Sequence, residues 1–485
     1  MKKFSIYLLI AAMLTQLAAC GTPTGNDETQ KQDESAAETT ETTRIWHQLP
    51  EELDFGGETF NAAFFGGEGT NKNYLLDESS SDNMEAAVYR RTKKTEDFLG
   101  TKITYSTSVT ADDYTMLYKS GDDLYQLLFY PDAYSFTTEG YLYNLDTLPY
   151  VDFSAEWWNA EQMDALRLGK YHYFIVNDFT ITSPSAMLFN RDMITDNNLE
   201  DPYELVLSGK WTLDKFAELG KGVINDMNGD GDYYGVDDIN SFFAYGIHDA
   251  IPFFAAGGQF QTGRDEYGML ELVLNSEKTL ALYDMLSVLG NTPGFSHLSY
   301  NHNVKDDGFA TGTALFRMGR PETMATVTEY DFNTGILPMP KYNEEQEEYM
   351  CYDWSSQTGV SGTTKNPELV GAVLEFLAWD SKNEVFPTYY DVLLKTRYSS
   401  DMETREMMNI IFDSLVFEVG GVYFGMQPGF CELWYLPCNP LFLGSDHFAA
   451  SYRAYKNPAK NTINSYYEAL AKIEGPLVEE ETTAE

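Results

Sequence analysis

The sequence predicts an α/β fold, and three observations carry that expectation. Patterns of period two and of period near 3.6 alternate along most of the chain. No repeat of fixed period appears, which argues against a solenoid or a propeller. Between polar ends lie roughly 430 residues rich in Phe, Tyr and Trp, enough for two lobes of ordinary domain size.

The elements follow in chain order. Gly57–Phe64 reads as a strand closed by a Gly-Gly turn, and Asn83–Leu99 as a helix with Met84, Val88, Thr92 or Thr95, and Leu99 on one face. Lys102–Ser106 is the next strand. The apolar run Leu124–Tyr130 is bounded by Gly121-Asp122-Asp123 and by Pro131-Asp132. Tyr173–Val176 reads as a further strand, and Ala186–Asn190 as an apolar stretch before a short helix. Thr212 is placed to cap a helix running through Lys221. Gly335–Met339 is a strand closed by Pro338 and Pro340, and Pro367–Trp379 is an amphipathic helix with proline in its first turn.

The amino end carries a targeting signal. Lys2 and Lys3 precede an apolar stretch over 4–14, which is too short for a bilayer span of about 20 residues. Leu17-Ala18-Ala19-Cys20-Gly21 then resembles the bacterial lipobox, in which the cysteine is diacylated and becomes the mature N-terminus. Two acyl chains suffice for stable anchoring, because each buried methylene contributes roughly 0.8 kcal/mol. The expectation is a lipoprotein signal peptide over 1–20 with lipid on Cys20, and a disordered tether over 21–44 that lacks aromatic and branched aliphatic residues. Residues 476–485 read as a disordered acidic tail. These signals place the chain on the extracellular face of a cell membrane, in a Gram-positive setting.

The formal charge is −43, from 75 acidic and 32 basic residues. That excludes a nucleic-acid partner, which demands a basic face, but says little about a neutral ligand. Beyond Cys20 the cysteines are Cys351, Cys431 and Cys438; the last two either close a small disulfide loop or remain buried thiols.

The sharpest local motif begins at Asp226. Asp226, Asn228 and Asp230 fall at loop positions 1, 3 and 5, a glycine at 6, Asp232 at 7 and Asp237 at 12. This spacing wraps a chain around Ca²⁺, although Asp237 is shorter than the usual closing glutamate. The reading is a candidate structural Ca²⁺ site, with a polar Asn-Gly-Asp-Gly turn as the alternative. No catalytic constellation accompanies it. The histidines show no metal spacing, and no nucleophile elbow, phosphate loop or dinucleotide fingerprint appears. The chain therefore reads as a non-enzyme with no catalytic cofactor.

Aromatic residues beside short polar ones are more suggestive. Tyr130-Pro131-Asp132, Trp157-Trp158-Asn159 and Tyr352-Asp353-Trp354 each pair a stacking face with hydroxyl-binding groups, the combination that sugar rings require.

A family resemblance enters at Met187–Asp237. Leu188-Phe189-Asn190-Arg191-Asp192, then Gly209-Lys210-Trp211-Thr212-Leu213-Asp214 and the Asp-Asn-Gly-Asp loop, resemble the extracellular solute-binding proteins of ABC importers, family 1, which are carbohydrate-related and maltose-binding-protein-like. Stretches 148–159, 308–324, 335–345 and 362–378 agree in the family's order, so the resemblance covers most of 55–395. It implies a two-lobed periplasmic-binding-protein-like fold of type II, its lobes joined by crossover hinge strands. Lobe 1 would comprise 45–178 and 354–395, and lobe 2 would comprise 183–350 and 400–475. The first crossing is expected near Asn177–Thr182 and the return near Tyr349–Ser355. Ligand contacts are then expected from Glu68, Tyr130, Asp132, Trp157, Trp158, Asp178, His248, Asp249, Arg320 and Trp354. Asp178 would accept hydroxyl hydrogen bonds and Trp354 would stack on a ring face. The implied partners are a mono- or oligosaccharide and the permease subunits of an ABC importer, served by a monomer. A surface enzyme acting on glycans and a sugar sensor without a transport role are the competing functions.

Overall fold

A computed structural model describes residues 47–65, 82–180, 182–231, 233, 238–244, 246–298, 308–325, 330–353, 357–394, 402–436, 440–441 and 447–477. All of them fall within the unit Trp46–Glu485. The strands, in chain order, begin with β1 (Thr59–Phe65), β2 (Lys102–Val109), β3 (Leu127–Phe129), β4 (Ala186–Asn190), β5 (Asn240–Ala244), β6 (Thr262–Arg264) and β7 (Leu270–Leu272). They continue with β8 (Ser296–Leu298), β9 (Ala314–Gly319), β10 (Thr334–Leu337), β11 (Cys351–Tyr352), β12 (Thr358–Val360) and β13 (Leu415–Val416).

The first lobe starts as a strand–helix–strand unit whose ends are written locally. Asp82 caps the helix Asn83–Leu99 by accepting from the amides of Met84 and Glu85, and Gly100 at φ +57° stops it in the left-handed region. The helix buries Ala87, Val88, Thr95 and Leu99 on one face. The chain then returns as β2, parallel to β1 with Thr59 opposite Lys102. β3 lies parallel on the other side of β1. The outermost strand, β12, arrives from far downstream and runs antiparallel to β3.

The second lobe repeats the winding. The first sheet has the order β12-β3-β1-β2, and the second has β10-β4-β9-β5-β8. β5 sits between parallel neighbours β8 and β9, as β1 sits between β2 and β3. β4 lies antiparallel beside β9, as β12 lies antiparallel beside β3. In each lobe the antiparallel strand is the one that follows a crossing from the other lobe. Trp211, fully buried, anchors this half by donating its indole N–H to Pro338 O at 2.9 Å.

Three segments cross between the lobes. Ser185 N donates to Tyr352 O at 2.7 Å, and Pro184 bridges Asp353, so the first and second crossings pair directly. β13 is the third: it runs parallel to β11, with Cys351 N donating to Ser414 O at 2.7 Å and Asp353 N to Val416 O at 2.9 Å. The sequence expectation contained only the first two.

The carboxyl-terminal part also departs from expectation. The helix Met402–Asp413 does pack on β10 of the second lobe. After β13, however, the contacts divide. The 27-residue helix Phe448–Glu474, about 40 Å long at 1.5 Å per residue, sets Phe448 against Tyr283 at 5.4 Å and has Tyr467 OH accept from Leu270 N at 2.7 Å, both in the second lobe. On its other side, Tyr466 packs on Tyr134 at 5.4 Å and Glu474 accepts from Tyr173 OH at 2.8 Å, both in the first. Large aromatic faces at successive turns bind to whichever lobe they meet, so this helix belongs to both. No helix among the described residues is long and apolar enough to cross a membrane.

Candidate functional site

The carboxyl ends of β3 and β9 adjoin the first crossing, one in each lobe. In the first lobe, β3 runs into Tyr130-Pro131-Asp132. Tyr130 has φ +62°, a conformation that costs a residue with a Cβ energy and recurs where function holds it in place. Its amide donates to Gln357 O at 2.9 Å, which ties the strand end to the return crossing. Phe179, on the first crossing, packs on Phe129 at 6.0 Å. Asp132 is exposed and caps the short helix Ala133–Thr138 by accepting from Ser135 N at 2.7 Å. One of its oxygens is thus committed to local structure.

In the second lobe, β9 ends at Gly319 and leads into Arg320. Arg320 Nη1 lies 3.4 Å from Ser183 Oγ and 3.9 Å from Glu322 Oε1, and Ser183 Oγ also donates to Glu322 at 2.5 Å. Ser183 N donates to Asp353 Oδ1 at 3.0 Å, so both crossings feed this cluster. Past β5, the turn Ile247–Ala250 brings in His248 and Asp249. Together with Arg317, Arg320 and Thr323 they line a cavity of about 330 Å³. Desolvation shifts the His248 imidazole below its ordinary range, which favours the neutral form with one donor and one acceptor nitrogen. Tyr435 packs beside it at 5.3 Å. Neutral imidazole, guanidinium, carboxylate and hydroxyl form a set suited to a polyhydroxylated ligand.

Asp178 lies elsewhere. Its amide donates to Trp157 O at 3.1 Å, and its carboxylate faces a separate cavity of about 230 Å³ that shares no lining residue with the first. Burial pushes its carboxyl up to about 6, while Lys382 at 3.6 Å draws it back down and Glu156 adds repulsion. The helix Phe386–Leu394 contributes Phe386 and Tyr390 to this cavity and Tyr389 to the neighbourhood of Glu322.

Trp157 and Trp158 are interior residues. Each is 3% exposed, and their indole N–H groups donate to the two oxygens of Glu375 at 2.8 and 2.7 Å. Burial raises the Glu375 carboxyl, and the two indoles hold it back. The pair instead fixes the backbone that supports Asn177 and Asp178, through Trp158's bridge to Asn177 and Trp157 O. A signal for this existed: Glu375 is a lone acid inside the apolar run 369–379.

The loop at Asp226 is a turn in its described part. Asp226 accepts from the amides of Gly229 and Gly231 at 2.6 and 2.9 Å, and Asn228 accepts from Asp230 N at 2.9 Å. Gly229 and Gly231 have φ of +76° and +81°, which the tight turn requires. Among the described residues no cluster of His, Cys, Asp or Glu is arranged to hold a metal. Asp232 and Asp237 lie outside the described residues, as do Cys20, Glu68, Trp354 and Cys438. Cys351 and Cys431 carry free thiols.

Sequence reasoning missed Ser183, Lys382, Tyr390 and Tyr435. Only the alternation of polar and apolar residues around the crossings hinted at them, and their partners lie 100 or more residues away in several cases, as with Ser183 and Glu322.

No protein-family model and no curated protein matches this sequence. Solved structures do match its fold. An ABC substrate-binding protein from Listeria monocytogenes in complex with cycloalternan superposes with a TM-score of 0.53 at 14% identity, covering 86% of this chain and 99% of that one. The GacH receptor of Streptomyces glaucescens, solved unliganded and with acarbose, gives 0.51 at 14% identity over 86% of this chain and 100% of its own. UgpB from Mycobacterium tuberculosis, in complex with glycerophosphocholine, gives 0.51 at 16% identity over 86% and 99%. At these identities the likeness is one of fold. With its paired windings and crossing segments, the chain has the two-lobed type II α/β architecture of ABC substrate-binding proteins.

Proposed function

We propose that this protein is the lipid-anchored substrate-binding component of an ABC importer, capturing a mono- or oligosaccharide between its lobes and delivering it to the permease. One observation carries the reading. The carboxyl ends of β3 and β9, in different lobes, both adjoin the single segment 177–185, through Phe179 against Phe129 and through Ser183 beside Arg320. In open α/β sheets ligands bind outside the carboxyl ends of the strands, so two sheets opening onto one hinge make a ligand trap. Tyr130 would stack on a ring face from one side, while His248, Asp249 and Arg320 would bind hydroxyls from the other. The carbohydrate ligands of the Listeria and Streptomyces proteins support this class. Trp354 is proposed to add a second stacking surface, and Cys20 the anchor.

The test is a thermal-shift panel of mono- and oligosaccharides with peptides, polyamines and phosphodiesters as contrasts. A ligand at about 100 times its Kd stabilises by about 2.7 kcal/mol, a shift that is readily measured. A carbohydrate should produce it, and Arg320→Ala should weaken it. A shift from another class alone overturns the reading. Loss of radiolabelled palmitate from a Cys20→Ala variant tests the anchor.

A further inference from the structure

The cavity beside Asp178 has chemistry that the inter-lobe reading does not use. Asn177 is 4% exposed and lines it. Its Oδ1 accepts from the amides of Phe179 and Thr180 at 3.1 and 3.2 Å, which assigns the oxygen to the chain side and leaves the NH₂ on the other arm. That buried nitrogen has no hydrogen-bond partner among the described residues. Beside it, Asp178 Oδ2 also has none there; Lys382 Nζ stands at 3.6 Å, an ion-pair distance. A buried donor left unmet, which costs free energy, thus neighbours in sequence a carboxylate whose Oδ2 faces Lys382, and both residues line the cavity. Phe386, Tyr390 and Phe412 supply apolar ring surface in the same cavity.

A hydroxyl both donates and accepts, so vicinal hydroxyls on a carbon skeleton satisfy Asn177 and Asp178 together. An anionic ligand would face the Asp178 carboxylate, and a cation would compete with Lys382. At about 230 Å³ the space falls below the range of about 300–1,000 Å³ typical of drug-sized ligands and suits one sugar unit or a linear polyol. The walls come from both sides of the hinge. Asn177 and Asp178 open the first crossing, Leu415 belongs to the third, and Phe412 lies on the helix packed against β10.

We infer that this cavity is a second, hinge-side binding site for a monosaccharide-sized polyol, separate from the inter-lobe site. The inference stands whether or not carbohydrate is the inter-lobe ligand. The test is calorimetric titration of the full chain with xylitol and with D-glucose. Saturable binding is expected for at least one. Asp178→Asn removes the charged acceptor and should weaken binding about tenfold or more, because a hydrogen bond to a charged group is worth about 1.5–3 kcal/mol. Asn409→Trp, at an exposed position on the cavity wall, should block it and decides the matter should Asp178→Asn not fold. Arg320→Ala, which acts on the inter-lobe side, should leave unchanged the component of binding that Asp178→Asn removes. No saturable binding of either polyol overturns the inference, as does binding that neither hinge variant weakens. Loss of that same component in Arg320→Ala overturns it too, since the polyol would then sit between the lobes.

Discussion

Glu418 makes a quantitative prediction about stability and pH. It follows β13 directly, is 4% exposed, and reaches into the second lobe to accept from Gln261 N at 2.6 Å, Thr262 N at 3.3 Å and Thr262 Oγ1 at 3.0 Å. Gly420 N adds a fourth bond at 3.0 Å. These donors favour the carboxylate, but burial outweighs them and pushes the group from its ordinary 4.5 up to about 7. A folded pKa above the unfolded one means that the folded protein holds the extra proton. The stabilising contribution is therefore complete below pH 4.5 and is lost as pH rises through about 7. Between pH 8 and pH 5 the linkage is worth about 2–3 kcal/mol. Glu418→Gln removes the titration. It also turns an NH₂ toward one of the donors, which costs a roughly constant amount at every pH. Urea unfolding of both proteins at pH 5, 6, 7 and 8 provides the assay, with the difference between them cancelling every other titrating group. Wild type should gain about 2–3 kcal/mol over the variant on going from pH 8 to pH 5. A difference that stays flat across that range refutes the claim that burial dominates at Glu418.

Other predictions follow from neighbouring features. Glu375→Leu strands two buried indole N–H groups and should cost about 2–5 kcal/mol in chemical denaturation, whereas Trp158→Phe should cost less because it removes only one of the donors. Cys351 is fully buried and its thiol is pushed up to about 12, so Ellman's reagent should label Cys431 in the native protein and reach Cys351 only on unfolding. The calcium reading predicts that EDTA lowers the melting temperature and that Asp230→Ala abolishes this sensitivity, whereas an unchanged melting temperature leaves the loop as the turn that Asp226 and Asn228 hold through amides of their own loop.

The three crossings explain why buried acids gather at the hinge. Asp353, 3% exposed, takes the amide of Ser183, and Glu418 takes those of Gln261 and Thr262. Where a chain passes between two sheets its amides leave both ladders, and each must find an acceptor or lose the free energy of an unmet donor. Carboxylates accept several such bonds at once. Their placement at the crossings ties the hinge segments to the lobes without adding a strand to either sheet.

The local elements were legible in the sequence because their causes are local. Asn83–Leu99 and Pro367–Asp380 follow from periodicity, caps and a first-turn proline, and the structure has them at those bounds or within a residue of them, while the apolar stretch Ala186–Asn190 is a strand. The first two crossings were legible through the family resemblance. The third crossing and the sharing of Phe448–Glu474 between lobes were not, because a two-residue strand and a helix with apolar faces on several sides carry no pattern that names their partners. The same holds for the site. Tyr130, His248, Asp249 and Arg320 could be read as residues following strands, yet only tertiary packing set Arg320 beside Ser183 and put Asp178 in a different cavity. Trp157 and Trp158 show the limit most plainly. Their residue type suits a sugar platform and a core equally well, and the choice was made by Glu375, more than 200 positions away, whose two oxygens meet both indoles.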